Sequence, residues 1–107
     1  MNKQFRNAFL RLAILSILQD KDIYGYDLVK QIGENFDITA GTLYPILYKL
    51  TDENLVETYL QESREGGARK YYKLNQKGKQ AVKKESKEWE RLIKKYQQFL
   101  QNIANSN

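Results

Sequence analysis

The chain has 107 residues, enough for one domain with a modest hydrophobic core and too few for two independent domains. It contains no cysteine and no histidine, so a disulfide framework and a thiolate metal site are excluded, and the usual general base is missing. We therefore expect no enzyme, cofactor or metal. The net charge of +5 suits a polyanionic partner, although basic proteins are common.

Nothing in the sequence indicates a membrane segment. No run approaches about 18 consecutive apolar residues. The start, MNKQFRNAFLRL, carries basic residues among its apolar ones and has no cleavage-like tail. We therefore expect a cytoplasmic protein without a membrane partner.

The charges are unevenly distributed along the chain. Residues 69 to 84 contain seven Lys or Arg and no acid, whereas residues 52 to 65 contain five acids and one Arg. The basic stretch is compatible with a nucleic-acid partner. A solvated face that only keeps the protein soluble explains it equally well.

Apolar spacing predicts three helices in the first half of the chain. The first covers residues 5–19, and its section FLRLAILSIL is apolar at eight of ten positions, too many for one stripe of a surface helix. The second covers residues 24–35, with Asp22 as a candidate N-cap. The third covers residues 40–53 and ends near Asn54, which tolerates a left-handed conformation. The inward residues of the second helix are Tyr24, Leu28, Val29 and Ile32.

A hairpin and a long helix follow. LVETYLQE alternates in polarity, ARKYYKL is rich in aromatic residues, and SREGG joins the two runs. Asn75 is placed to cap a last helix over residues 76–103. The predicted fold class is mainly α with a two-stranded β wing, a winged helix-turn-helix with a long C-terminal helix.

Four segments carry a family resemblance over roughly residues 12–78. YGYDLVKQI, GTLYPILYKL, NLVE and GGARKYYKLNQKG resemble the PadR family of bacterial transcriptional regulators. The resemblance implies a repressor, usually a homodimer, whose third helix and wing bind double-stranded operator DNA. Residues 1–75 would form the DNA-binding domain and 76–107 the dimerisation helix of one compact unit. The single C-terminal helix is closer to the short subgroup of the family.

The third helix contains the only proline, Pro45, at a cost of roughly 3 kcal/mol for an interior position. With Thr39 as N-cap, the ring crowds the carbonyl of Gly41, where backbone freedom is greatest. A loosened first turn would present free N–H groups and threonine hydroxyls to a phosphate, with two tyrosines facing the groove. Alternatively, Pro45 only sets the angle of the helix and the tyrosines cover core edges. The predicted DNA-binding residues here are Thr39, Ala40, Gly41, Thr42, Tyr44, Pro45, Tyr48 and Lys49.

The wing has a glycine turn flanked by basic residues. We expect these cations to project from the hairpin tip towards the DNA backbone or minor groove, although Glu65 lies at the same tip. The alternative is a plain solvent-exposed turn. The predicted wing residues are Arg64, Gly66, Gly67, Arg69 and Lys70.

The last helix carries a heptad stripe that one small domain cannot bury, and the first helix also has an uncovered side. Both problems are solved if the chain packs against a second copy of itself. The stripe consists of Val82, Glu85, Trp89, Leu92, Tyr96, Phe99 and Ile103, widened by Ile93 and Leu100. The predicted dimer interface comprises Phe5, Phe9, Val82, Trp89, Leu92, Tyr96, Phe99, Leu100 and Ile103.

Trp89 lies where this stripe changes from polar to apolar. The resemblance to short family members that bind hydrophobic compounds implies a pocket here for a small hydrophobic or aromatic effector. The predicted ligand-binding residues are Trp89, Ser86 and Ile93. Alternatively, the indole is a packed interface anchor.

Two functions from other classes compete with the repressor. A winged-helix module that binds protein, without an effector, is supported by the acids around the hairpin. An enzyme would need a carboxylate pair or an activated Ser or Lys, and we find no convincing spacing for either.

Overall fold

The computed structural model describes residues 1–106, which form four α-helices and three β-strands. The elements are α1 (Lys3–Asp20), β1 (Ile23–Tyr24), α2 (Gly25–Phe36), α3 (Ala40–Asp52), β2 (Val56–Glu62), β3 (Ala68–Leu74) and α4 (Gln76–Asn105). The strands form one antiparallel sheet in the order β1-β3-β2. The predicted mainly helical winged class is confirmed.

Helix α1 is the centre of the core. It buries Leu10, Ile14, Leu15 and Leu18 and contacts α2, α3, α4 and β3. These neighbours explain why α1 is apolar on more than one side, since helices pack on it from several directions. Part of the surface that the sequence predicts to need a second copy is therefore covered within one chain.

Strand β1 adds a third strand to the predicted two-stranded wing. Its two residues pair with β3, Ile23 opposite Tyr72 and Tyr24 opposite Tyr71. Helix α2 consequently begins at Gly25, where an added Cβ would lie 2.7 Å from the Tyr72 ring. Tyr24 occupies the N-cap position without a side-chain capping bond. The prediction of Asp22 as N-cap is therefore wrong.

The junction between α3 and α4 is tightly fixed. Asn54 follows α3 with φ of 59°, the left-handed conformation that the sequence predicts. The Asn75 side chain accepts a hydrogen bond from the Gly78 N–H at 2.8 Å, as a cap should, and donates one to the Asn54 carbonyl at 2.6 Å. An added Cβ at Gly78 would lie 2.1 Å from the carbonyl oxygen of Leu55. These contacts hold the start of α4 against the end of α3.

Helix α4 leaves the core after its first turns. Within it only Gly78 and Val82 are buried, and the molecule measures 65 Å in its longest dimension. Val82 is 0% exposed, so its assignment to a dimer interface is wrong: this position of the heptad faces the core of its own chain. Residue 107, the last of the predicted C-terminal segment, lies outside the described residues. No helix among residues 1–106 is long and apolar enough to cross a membrane.

Candidate nucleic-acid interface

Helix α3 presents a polar aromatic face on the side away from the core. Leu43, Ile46, Leu47 and Leu50 are buried, whereas Tyr44 is 43% and Tyr48 is 74% exposed. Lys49 is also exposed. The interpretation that the tyrosines only cover core edges therefore fails for Tyr48, because most of its ring surface contacts no protein.

The hydroxyl groups of Thr39 and Thr42 lie together at the N-terminus of α3. Thr39 is the N-cap, as predicted, and its hydroxyl makes no capping bond but lies 3.3 Å from the hydroxyl of Thr42. The Thr42 N–H donates to the Thr39 carbonyl at 3.1 Å, so the prediction that it is free for an outside anion is wrong. This short i→i+3 bond tightens the first turn. The N–H groups of Ala40 and Gly41 have no intrahelical acceptor.

Pro45 lies inside α3 without ending it, since the helix is continuous to Asp52. Proline has no N–H, so the Gly41 carbonyl lacks its normal partner four residues on. An added Cβ at Gly41 would have Thr39 Oγ1 as its nearest neighbour, at 3.9 Å. The fold of the chain therefore does not require glycine here.

The wing turn has the predicted geometry, but two of its cations lie elsewhere than predicted. Gly66 and Gly67 have φ of 102° and 87°, values that favour glycine. The Arg69 guanidinium stacks 4.8 Å from the centre of the Tyr24 ring and lies 3.8 Å from the Glu65 carboxylate.

Lys70 also lies along the strand, with its ammonium 5.6 Å from the centre of the Tyr72 ring. Both cations therefore belong to the body of β3, where aromatic rings hold them, and only Arg64 lies at the turn itself.

A row of tyrosines, which no pattern in the sequence indicates, crosses the wing sheet. Tyr24, Tyr71 and Tyr59 stand opposite one another on the three strands, with ring centres 6.1 and 5.6 Å apart. The Tyr59 hydroxyl donates to the Asp22 carboxylate at 2.9 Å, and this bond raises the pKa of Tyr59 above its ordinary value. Arg69 lies over Tyr24, at one end of this row.

Trp89 joins α4 to α1 within one chain. Its ring centre lies 5.9 Å from that of Phe5 and 6.0 Å from that of Phe9, and Phe9 meets Phe36 edge to face at 5.0 Å. The Ser86 hydroxyl bonds to a backbone carbonyl of its own helix. The indole is thus an anchor between helices of the same chain, whatever else contacts it.

Beyond Trp89 the apolar stripe of α4 is uncovered. Its side chains are between 45% and 66% exposed: Leu92, Ile93, Tyr96, Phe99, Leu100 and Ile103. Phe5 of α1, beside Trp89, is also exposed. A continuous apolar surface of this kind is unusual for a surface that faces only water.

Arg11 of α1 links α4 to the end of α3, a contact that no pattern in the sequence indicates. Its guanidinium donates to the Glu85 carboxylate at 3.0 and 3.1 Å and also to the Glu53 carboxylate. These bonds, that to Glu85 foremost, raise the pKa of Arg11. Glu85, which the sequence places on the dimer stripe, is therefore occupied within its own chain.

Comparison with known proteins assigns this architecture to a family. Residues 14–84 match the model of the transcriptional regulator PadR-like family. A transcriptional regulator of Mycobacterium tuberculosis, Rv3488, is 28% identical over 93 residues, which are 86% of each chain. A crystal structure of a PadR-like transcriptional regulator from Bacillus cereus superposes with a TM-score of 0.82 at 28% identity, covering 92% of this chain and 97% of the other.

A PadR family transcription regulator from Clostridium difficile is 36% identical, with a TM-score of 0.75 over 86% of this chain and 98% of that chain. Proteins of this family regulate transcription and are not enzymes, so the enzymatic alternative is excluded. The match covers α3 and the whole wing, the elements on which the exposed tyrosines and the glycine turn lie. The chain therefore belongs to the PadR-like family of transcriptional regulators.

Proposed function

We propose that the protein is a homodimeric repressor that binds double-stranded operator DNA through α3 and the wing. The exposed face of α3 carries this proposal. Tyr48 is largely exposed and Tyr44 is partly exposed on the side away from the buried stripe, and the paired hydroxyls of Thr39 and Thr42 lie at the start of the same helix. A helix with an uncovered polar face in this position of a winged helix suits the major groove.

The two parts of α3 would make different contacts. The Thr39 and Thr42 hydroxyls and the N–H groups of Ala40 and Gly41 would bind a phosphate, which positions the helix without reading sequence. The tyrosines would contact base edges in the major groove, whereas Lys49 lies on the flank of α3 that faces α1. Sequence discrimination would then depend on Tyr48, the more exposed of the two rings.

The wing would hold the DNA backbone. Arg69 is stacked on Tyr24, so less side-chain freedom is lost when its guanidinium binds a phosphate. Lys70 is held in the same way on Tyr72. Arg64 and the Gly66–Gly67 turn would approach the backbone or the minor groove.

The exposed stripe of α4 supports a two-fold dimer. Full burial of a large apolar side chain is favourable by about 1.5–3 kcal/mol, so burying the exposed half of one side chain contributes about 1 kcal/mol. Six such residues on each of two copies would contribute on the order of 10 kcal/mol before the cost of association. The dimer would use the same patch of each copy and present two α3 helices to two half-sites.

A small hydrophobic or aromatic effector could bind where the Trp89 side chains of the two copies approach. Trp89 is only partly buried by Phe5 and Phe9, and Ser86 and Ile93 lie on the same helix within one turn of it. The effector would release DNA by changing the separation of the two α3 helices. Quenching of Trp89 fluorescence, the only tryptophan signal of the chain, tests this part of the proposal directly.

DNA binding is tested by removing two cations from the wing and, as a control of equal charge, two cations from α4. Arg69→Ala with Lys70→Ala should weaken binding to every sequence and reduce the salt slope by about 0.9 log units for each lost phosphate contact. Removing two exposed cations of α4, by Lys87→Ala with Lys94→Ala, should leave the slope nearly unchanged. Tyr48→Ala should instead reduce discrimination between operator and random DNA. An unchanged affinity and slope in the wing double variant would refute the wing assignment.

A winged-helix module that binds protein remains the competing function. Glu62 and Glu65 at the hairpin favour it, since acids at this place repel phosphate. A mobility-shift assay at low salt separates the two functions. Retention of duplex DNA supports the repressor, and free migration of DNA at micromolar protein supports the protein-binding module.

A further inference from the structure

A groove lies between the N-terminal half of α1 and the flank of α3. It has a volume of about 650 Å³ and extends on α1 from Lys3 to Arg11, a length of about 12 Å at 1.5 Å per residue. Small-molecule sites occupy about 300–1,000 Å³. The groove shares no lining residue with the Trp89 surface proposed for an effector.

The rim of the groove is positively charged. Lys3, Arg6, Arg11 and Lys49 line it, and no acid does. Arg11 is neutralised by its two carboxylate partners, but among residues 1–106 none of the other three cations forms an ion pair. The Arg6 guanidinium donates only to the neutral side chain of Asn7, at 3.2 Å. The groove therefore favours an anionic group.

Part of the groove lining is aliphatic. Ala8 of α1 and Pro45 of α3 are exposed there, whereas Ile46 and Leu50 are only 8% and 1% exposed and contribute little surface. Gln4, Asn7, Gly41 and Thr42 complete the lining, and the last two belong to the phosphate site proposed at the start of α3. Among residues 1–106 no aromatic residue lines the groove, so a flat ring would find nothing to stack on. An apolar chain that ends in an anion matches both parts of the surface.

We propose that this groove binds an aliphatic carboxylate of the fatty-acid type. The carboxylate lies near Lys3, Arg6 and Lys49, and the chain runs along Ala8 and Pro45. Because Pro45 and Lys49 also belong to the helix proposed to enter DNA, the bound carboxylate weakens DNA binding. This second part rests on the proposed function, whereas the binding site itself does not.

Calorimetric titration of the free protein with sodium decanoate tests the site without DNA. Octanoate and hexanoate should bind progressively more weakly, by about fourfold for each methylene removed, which corresponds to about 0.8 kcal/mol per buried CH₂. Decanol has the same chain without the charge and should bind at least about tenfold more weakly than decanoate. Equal binding of decanol and decanoate would overturn the assignment of the cationic rim.

A matched pair of variants locates the site. Ala8 is exposed and lines the groove, so Ala8→Leu fills the space of the chain and leaves the helix intact. It should weaken decanoate binding at least about tenfold. Ala104→Leu makes the same change at an exposed position near the end of α4 and should bind decanoate like the wild type. Circular dichroism verifies that both variants are folded.

The remaining outcomes of decanoate and DNA binding decide between the site and its coupling to DNA. Failure of decanoate to bind, or equal binding by wild type and Ala8→Leu, overturns the site. If decanoate does not bind but Arg6→Gln weakens DNA binding, the groove is part of the DNA surface and the proposal is wrong. If decanoate binds in the groove and DNA affinity is unchanged, the coupling to DNA is wrong while the site is retained.

Discussion

Replacing two glycines by alanine separates the role of Gly41 from that of a purely structural glycine. At Gly41 the nearest atom to a new Cβ lies 3.9 Å away and φ is ordinary, so the folded chain accommodates alanine. Alanine is favoured over glycine in a helix by about 0.5–1 kcal/mol. We therefore expect Gly41→Ala to stabilise the fold by about 0.5 kcal/mol, because the position lies in the first turn.

Gly78→Ala should have the opposite effect on stability. Its Cβ would lie 2.1 Å from the Leu55 carbonyl oxygen and 2.9 Å from a methyl of Leu74, and a backbone oxygen cannot move aside cheaply. Overpacking of this kind costs about 1–3 kcal/mol or more. For a domain of this size each kcal/mol shifts Tm by about 4–8 °C. Thermal melts should place Gly41→Ala slightly above the wild type and Gly78→Ala about 10 °C or more below it.

The DNA affinity of Gly41→Ala then tests the proposed phosphate contact. If a phosphate approaches the backbone of Ala40 and Gly41, a methyl at Gly41 displaces it, and loss of a charge-assisted hydrogen bond costs about 1.5–3 kcal/mol. Fluorescence anisotropy should therefore show about 10- to 150-fold weaker DNA binding by a more stable protein. The reasoning is refuted if Gly41→Ala binds DNA like the wild type, or if it melts lower.

Three further changes probe the other contacts. Phe99→Asp removes a half-exposed ring from each of the two copies in the dimer. Sedimentation equilibrium should therefore show dimerisation weakened by at least about 2 kcal/mol, or about 30-fold. An unchanged mass would exclude this stripe as the interface. Arg11→Met leaves Glu53 and Glu85 without their cation and should lower the free energy of unfolding, measured in urea, by about 2 kcal/mol. Changing both acids to Gln in this variant should recover part of that loss. Full stability of Arg11→Met would show that the contact is unimportant. Asn75→Ala should cost about 1–2 kcal/mol, because it removes the cap of α4 together with a second hydrogen bond, and a loss below about 0.5 kcal/mol would contradict this.

Local signals predicted much of the fold. The third helix was predicted over residues 40–53 and lies at Ala40–Asp52, because its apolar stripe and cap signals are contained in one segment. Asn54 and Asn75 have the predicted roles for the same reason. Strand β1 was missed because two residues carry no measurable alternation, and only its partner on β3 makes it a strand.

The errors concern contacts between distant parts of the chain. Arg11 meets acids 42 and 74 residues away, and nothing near it in the sequence marks those partners. Val82 shares its heptad with the exposed residues of α4, and periodicity does not distinguish a turn that faces the core of its own chain from one that faces outward. The row formed by Tyr24, Tyr59 and Tyr71 depends on strand register, which the composition of the strands leaves open.

Capture of genomic DNA fragments by the purified protein, followed by sequencing, tests the central claim of a dimeric, sequence-specific repressor most directly. We expect a small number of enriched sites, each containing an inverted repeat whose half-sites lie about one helical turn, about 34 Å, or a multiple of it apart. The Tyr48→Ala variant should lose this enrichment while still retaining DNA at low salt. Uniform recovery of fragments by the wild-type protein, or enriched sites without two-fold symmetry, would contradict the account.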